Sequence, residues 1–261
     1  MASTIVLITG NYSKYNLEIP CLLISCAGAN SGVGFATSKV LACTSDSFHV
    51  IIASRSEEKA QAAKSDIEAA GIKGALSTLR SDVTDENSIK EAAAHVEKQF
   101  GRLDVLVNNA ASGCMDPDVR TRFQLCLATN VTGPAMVAAA FRPLLLRSHY
   151  PYSIYVSSGA RTLPRNAHQT PPTHDNIRNG DAYIVSKAAI NMLAVLEAKD
   201  CGRKGLKVCV ASPGFVRSNL RGPSEEARSG WGKAGDPEVS GELILSIVGG
   251  QRRCRCRMSR L

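Results

Sequence analysis

The sequence predicts an α/β domain: a doubly wound parallel sheet of six to seven strands with helices on both faces. Three observations predict it. Short apolar runs alternate with amphipathic helical stretches, the pattern of repeated βα units. The 261 residues suffice for one domain of this class and would cramp two. Finally, the two long stretches without period, 160–181 and 214–236, both follow strand ends, where open α/β sheets bind ligands.

Each element has its own local signal. Residues 49–53 read as a strand, 57–70 as an Ala-rich helix ended by Gly71, and 75–79 as the next strand. Thr84 or Asp85 can cap a helix running to Phe100, Gly101 stops it, and 103–107 is a buried strand leading into Asn108 and Asn109. A helix around 123–146, a strand at 153–157, a helix at 181–199 and a strand at 206–211 continue the rhythm.

Composition narrows the class. With 44% hydrophobic and 21% charged residues the chain reads as globular and soluble. No uninterrupted apolar run approaches the roughly 18 residues of a membrane span. The first ten residues lack a basic start and a small-residue cleavage site, which points to a cytoplasmic protein. Nine cysteines without metal-type spacing are expected as reduced thiols, and no metal site is expected. His168 and His174 read as solvated loop residues. The formal charge is +8, but Arg252, Arg253, Arg255, Arg257 and Arg260 supply five of those charges. The basic character is therefore mostly a tail, and neither nucleic acid nor membrane is expected as a partner.

Two motifs carry chemistry. Gly28-Ala29-Asn30-Ser31-Gly32-Val33-Gly34 runs from a strand candidate into a helix at 35–41, with G-x3-G-x-G spacing. Such glycines let the backbone turn tightly and approach a pyrophosphate, whose charge then meets the helix N-terminus. Taken alone the loop is as readily a structural turn; the strand before it and the helix after it favour the nucleotide. The next strand ends at Arg55, with no carboxylate to hold a ribose 2′-hydroxyl, and Arg55 is placed to meet a 2′-phosphate. The competing reading is a solvated surface arginine.

The second motif is Tyr183 with Lys187, one turn apart on a single helix face. A phenol with a pKa near ~10 is a poor base at neutral pH, and a nearby cation can lower it. Alone, the pair reads as a half-buried Tyr beside an exposed Lys. Ser157 and Ser158 close the preceding strand, from which a hydroxyl would reach the same cleft.

Together these residues resemble the short-chain dehydrogenase/reductase family, with its Rossmann-type fold, from Ile5 to about Val248 and in the family's order. By that resemblance Tyr183 is the general acid/base. Lys187 lowers its pKa and holds the nicotinamide ribose, Ser158 polarises the substrate oxygen and Asn130 holds a proton-relay water. The same resemblance gives the cofactor Gly28, Asn30, Ser31, Gly32, Val33, Gly34 and Arg55. It adds Asp82 at adenine, Asn109 in the ribose region, Val216 with Ser218 at the carboxamide, and Val83, Ala110, Pro213 and Gly214 to the cofactor site at large, alongside Tyr183 and Lys187. The activity implied is hydride transfer between NADP(H) and a carbonyl or alcohol carbon of a small organic substrate, in a possible homo-oligomer. Fungal members are the most similar, and some of those serve secondary metabolism.

The chain departs from the family at both ends. Residues 4–10 already look like the first strand and first glycine, yet 18 residues, 11–28, intervene before Ala29-Asn30-Ser31-Gly32. A retained in-frame intron would explain them, and mature transcripts that all contain the segment would refute that. The segment also imitates what it interrupts, since 22–26 can act as the strand and Gly28 as the glycine. The domain is therefore drawn over 1–248, with 11–28 as an anomalous insertion and 249–261 as a basic, disordered tail in place of a last strand. Alternatives are a catalytically impaired product of a damaged gene, or a binding protein that uses its basic tail. Ala111 and Ser218 stand where the family usually has glycine and threonine.

Overall fold

The chain lays down β1 (Leu22–Ala27), α1 (Gly32–Thr44), β2 (Phe48–Ser54), α2 (Glu57–Ala69), β3 (Ala75–Arg80) and α3 (Glu86–Phe100) in a computed structural model that describes residues 22–159, 167 and 179–250. Then come β4 (Val105–Asn108), α4 (Val119–Leu127), a π turn (Ala128–Thr132), α5 (Gly133–Leu145) and β5 (Tyr152–Val156). After them α6 (Asp181–Cys201), β6 (Lys207–Ala211), a 3-10 turn (Asn219–Arg221), α7 (Glu225–Arg228) and α8 (Glu238–Val248) complete the described chain.

The six strands among the described residues are all parallel, in the order β3-β2-β1-β4-β5-β6. The order reverses between β1 and β4, where Ile24 stands beside Val105 and Cys26 beside Val107. A crevice opens at such a reversal because successive crossover helices turn to opposite faces. Helices on both faces explain the apolar strands: Ile24, Val50, Ile52, Val105, Leu106, Val107 and Ile154 are all fully buried.

The predicted caps hold in detail. The Asp85 side chain accepts the amide hydrogens of Asn87 and Ser88 at 2.9 and 3.3 Å, and Gly101 ends α3 in the left-handed region at φ 72°. Of the two arrangements the sequence left open for the first strand, the structure has 22–27 in the sheet, followed by the Gly28 turn. Residues 1–21 and 251–261, and with them most of the interrupting segment and the basic tail, lie outside the described residues, as do His168 and His174.

Val119–Leu145 forms one continuous helix long and apolar enough to cross a membrane by length and composition alone, although Gln124, Thr129, Asn130 and Thr132 interrupt its apolar runs. It packs against α3 and α6. The expectation of reduced thiols needs one correction: Cys26, Cys43, Cys114, Cys126 and Cys201 are free thiols, but Cys209 is disulfide-bonded, which spacing did not reveal.

Candidate functional site

The turn from β1 into α1 forms one wall of the crevice. Gly28 takes φ 71°, and a Cβ there would lie 3.2 Å from the Ala110 Cα. Gly34 is more constrained, because its missing Cβ would fall 2.5 Å from the Gly28 carbonyl oxygen and 2.7 Å from Asn109 Nδ2. Ser31 begins α1 without a side-chain cap bond. The first amide hydrogens of a helix have no partner within it, so this uncapped turn suits an anion. A backbone stripped of Cβ atoms beside such a turn fits the pyrophosphate of a dinucleotide. Behind it the Asn109 amide donates to the Gly28 carbonyl at 3.4 Å. The Ser54 hydroxyl donates to Asn30 Oδ1 at 3.2 Å, tying the turn to β2.

Arg55 is exposed just past β2, and its charge reaches Asp82 beyond β3. The Asp82 carboxyl is held below its usual range first by the Thr84 hydroxyl and amide, which donate to it at 2.7 and 2.9 Å, with Arg55 adding to the effect. Val83 is buried against the start of α5, where a Cβ on Gly133 would lie 2.8 Å from the Val83 carbonyl.

The opposite wall comes from β5 and α6. The Tyr183 phenol and the Ser158 hydroxyl share a hydrogen bond. Lys187, 2% exposed, lies a turn further along α6 with Nζ 5.7 Å from the centre of the Tyr183 ring. Its ammonium donates to the Val156 carbonyl at 2.8 Å, and burial lowers its pKa to about 8. The two serines after β5 divide: Ser157 is buried and donates to the Lys187 carbonyl at 3.2 Å, while Ser158 faces the phenol.

The depressed Tyr183 pKa expected from Lys187 is absent in the chain by itself. Burial raises it, and the Ser158 hydrogen bond and the Arg221 charge only partly oppose that. The desolvation cost of a phenolate here exceeds the pull of a lysine already bound to a carbonyl.

Asn130 sits on the π turn, fully buried. Its Oδ1 accepts the Ser112 amide hydrogen at 2.7 Å, and its Nδ2 donates to the Ser112 carbonyl and to Ser186 Oγ, both at 2.9 Å. A π turn at such a position is a frequent mark of function. The segment after β6 closes the crevice from a third side. Gly214 takes φ 87°, Val216 is buried and bridges to Gly235, and a Cβ on Gly32 would lie 3.3 Å from Ser218 Cβ. Pro213 precedes them, partly buried.

The structure thus brings together, in one crevice, the glycine turn, Asn109, Ala110 and Ser218 on one side and Tyr183, Ser158 and Lys187 on the other. Sequence reasoning missed Ser112 and Ser186, which hold Asn130, and an ion pair at the start of α6. There the buried Arg122 guanidinium grips Asp181 at 2.7 and 2.9 Å and also donates to the Asp116 and Pro117 carbonyls at 3.3 and 2.9 Å. Only Ser186, just before Lys187, had a positional signal. Chemically, a phenol beside a hydroxyl and an ammonium can pass a proton to an oxygen next to a bound dinucleotide.

Comparison with known proteins agrees with this geometry. A family model described as short chain dehydrogenase matches residues 23–229. The short-chain dehydrogenase anuI of Penicillium roqueforti is 36% identical over 208 residues, covering 78% of this chain and 81% of its own. The short-chain dehydrogenase/reductase tropE of Talaromyces stipitatus is 33% identical over 239 residues, covering 86% and 89%. Among solved structures, a short-chain type dehydrogenase/reductase from Mycobacterium marinum shares the fold with a TM-score of 0.73 at 22% identity over 91% of each chain. A metagenomic short-chain oxidoreductase in complex with NADP does so with a TM-score of 0.65 at 24% identity, over 87% of this chain and 90% of its own.

Proposed function

The chain belongs to the short chain dehydrogenase family of oxidoreductases, and from that premise we propose that it transfers a hydride between NADP(H) and a carbonyl or alcohol carbon of a small organic substrate. The observation that carries this reading is the meeting of Tyr183, Ser158 and Lys187 across the crevice from the glycine turn. When bound, the nicotinamide supplies or accepts the hydride. The chain's own residues hold the oxygen and move its proton. The Tyr183 hydroxyl donates the proton to the oxygen of a carbonyl being reduced, Ser158 orients that oxygen, and the Lys187 ammonium stabilises the phenolate left behind. Both Asn130 Nδ2 hydrogens and one Oδ1 lone pair are engaged with Ser112 and Ser186, so the side chain anchors the π turn and keeps a single acceptor position for a relay water. The direct test is NADPH consumption by the purified chain with a panel of ketones and aldehydes. Turnover of none, together with no NADPH binding, would refute the reading.

Arg55 supports NADP(H) over NAD(H), as does the NADP held by the metagenomic relative. Arg55→Leu is expected to raise the KM for NADPH about tenfold, the scale of one lost charge-assisted hydrogen bond, while the KM for NADH changes little. Equal loss with both cofactors would assign Arg55 to another task.

A second copy of the chain is the proposed partner. Leu125 on α4 and Val185, Met192 and Leu196 on α6 are 49, 47, 59 and 47% exposed, and the two helices are packed side by side. So much apolar surface on adjacent helices favours a covered face. The double change Met192→Glu and Leu196→Glu is expected to halve the mass seen in sedimentation while the circular dichroism of the folded chain is kept, with a lower melting temperature because association no longer adds to stability. An unchanged mass would place the interface elsewhere.

A further inference from the structure

The segment after β6 carries two arginines in contrasting settings. Arg217 is half-exposed and paired with Glu225 at 2.6 Å. Arg221, on the 3-10 turn, is partly buried and has no carboxylate partner among the described residues. Its Nε donates to the Ala227 carbonyl at 2.9 Å, and its Nη2 donates to the carbonyls of Val216 and Arg228 at 2.9 and 2.8 Å. The guanidinium lies over the Phe215 ring, 4.4 Å from its centre. These contacts immobilise the fork without neutralising it, and they leave Nη1 unpaired among the described residues.

The backbone beneath Arg221 is fixed as well. A Cβ on Gly113 would lie 2.6 Å from the Leu220 carbonyl oxygen, so the turn rests on the loop whose Ser112 holds Asn130. Across the crevice the Tyr183 phenol feels the Arg221 charge, and burial already weakens the hold of that guanidinium on its proton. A rigid, partly desolvated cation with no counter-charge among the described residues is costly to the fold, and an anion from outside would relieve that cost. A guanidinium with one open edge matches a carboxylate best.

Resting on the oxidoreductase reading above, we propose that Arg221 determines substrate choice: its open Nη1 edge takes a carboxylate on the same molecule that presents its carbonyl to Tyr183 and Ser158. The substrate class is thereby narrowed to oxo acids. The three carbonyl bonds place the cation, and the charge does the selecting.

The test compares phenylglyoxylate with its neutral methyl ester, which share the ketone and differ in the charge. NADP+ is titrated first, and each ligand is then titrated calorimetrically into the cofactor-saturated protein, or into the free protein if no cofactor binds. The acid is expected to bind at least about tenfold more tightly than the ester, and Arg221→Gln is expected to bring the two within about twofold. Equal affinities in the unaltered chain, no binding of the acid, or a preference that survives Arg221→Gln would overturn the proposal. Parallel weakening of acid and ester in the variant also overturns it, since it makes Arg221 only a strut of the segment after β6. Failure of both NADP+ and NAD+ to bind defeats the hydride-transfer reading instead, and the acid-to-ester ratio on the free protein still decides the role of Arg221.

Discussion

Replacing Tyr183 with phenylalanine is expected to slow carbonyl reduction by about a hundred- to ten-thousandfold, the range of a lost general acid, while NADPH still binds. The ring keeps its place on α6, so the change removes one oxygen and its hydrogen bond with Ser158. Single-turnover kinetics beside a fluorescence titration of NADPH separates the two effects. Full activity in the variant would take the proton-donor role from Tyr183, and lost cofactor binding would assign the residue to the nucleotide.

The pH profile follows from the same pair. Burial raises the Tyr183 pKa above the ordinary phenol range, so the phenol stays protonated at neutral pH and is ready to donate. Burial lowers the Lys187 pKa from 10.5 to about 8, so above that pH the ammonium is lost first. Carbonyl reduction is expected to be flat through neutral pH and to fall above about 8, whereas alcohol oxidation, which needs the phenolate, rises with pH until Lys187 fails. The linked stability has a definite sign. Because the folded pKa of Lys187 lies below the unfolded one, the unfolded chain binds more protons between about 8 and 10.5. The penalty of burying the ammonium is therefore complete below about 8 and disappears as pH rises toward 10.5.

The second large effect is expected at Gly34. In Gly34→Ala the new methyl would stand 2.5 Å from the Gly28 carbonyl, 2.7 Å from Asn109 Nδ2 and 2.8 Å from the Ala29 Cα. Two of these neighbours are backbone and cannot swing away, so α1 must withdraw from the glycine turn. Overpacking of this kind costs about 1 to 3 kcal/mol of stability. The larger consequence is functional, because a displaced α1 N-terminus no longer meets a pyrophosphate, and NADPH binding is expected to fall below detection. Thermal unfolding and the cofactor titration measure the two losses. A variant that binds NADPH normally would show that the turn is structural only. By contrast, a Cβ at Gly71 meets nothing within 4 Å, so Gly71→Ala tests its left-handed backbone at φ 83° and leaves the cofactor untouched.

The sequence by itself determined most strands and helices and their stops, though not which of 4–10 and 22–26 is the first strand, because a cap such as Asp85, a stop such as Gly101 and the apolar period of a strand act through neighbours a few residues away. It also determined the glycine turn and the Tyr183–Lys187 pair, whose spacing is their geometry. The tertiary structure alone decided which serine faces the phenol, since Ser157 and Ser158 are adjacent and the sheet pleat separates them. It alone decided that Asn130 is locked to Ser186 across 56 residues, that Arg122 grips Asp181 across 59, and that the Asn109 amide closes on Gly28 across 81. It also reversed the direction of the Tyr183 pKa, because the dielectric around a side chain is set by everything packed against it. Local signals survive in the order of residues, whereas burial and long-range partners exist only once the sheet has brought distant segments into contact.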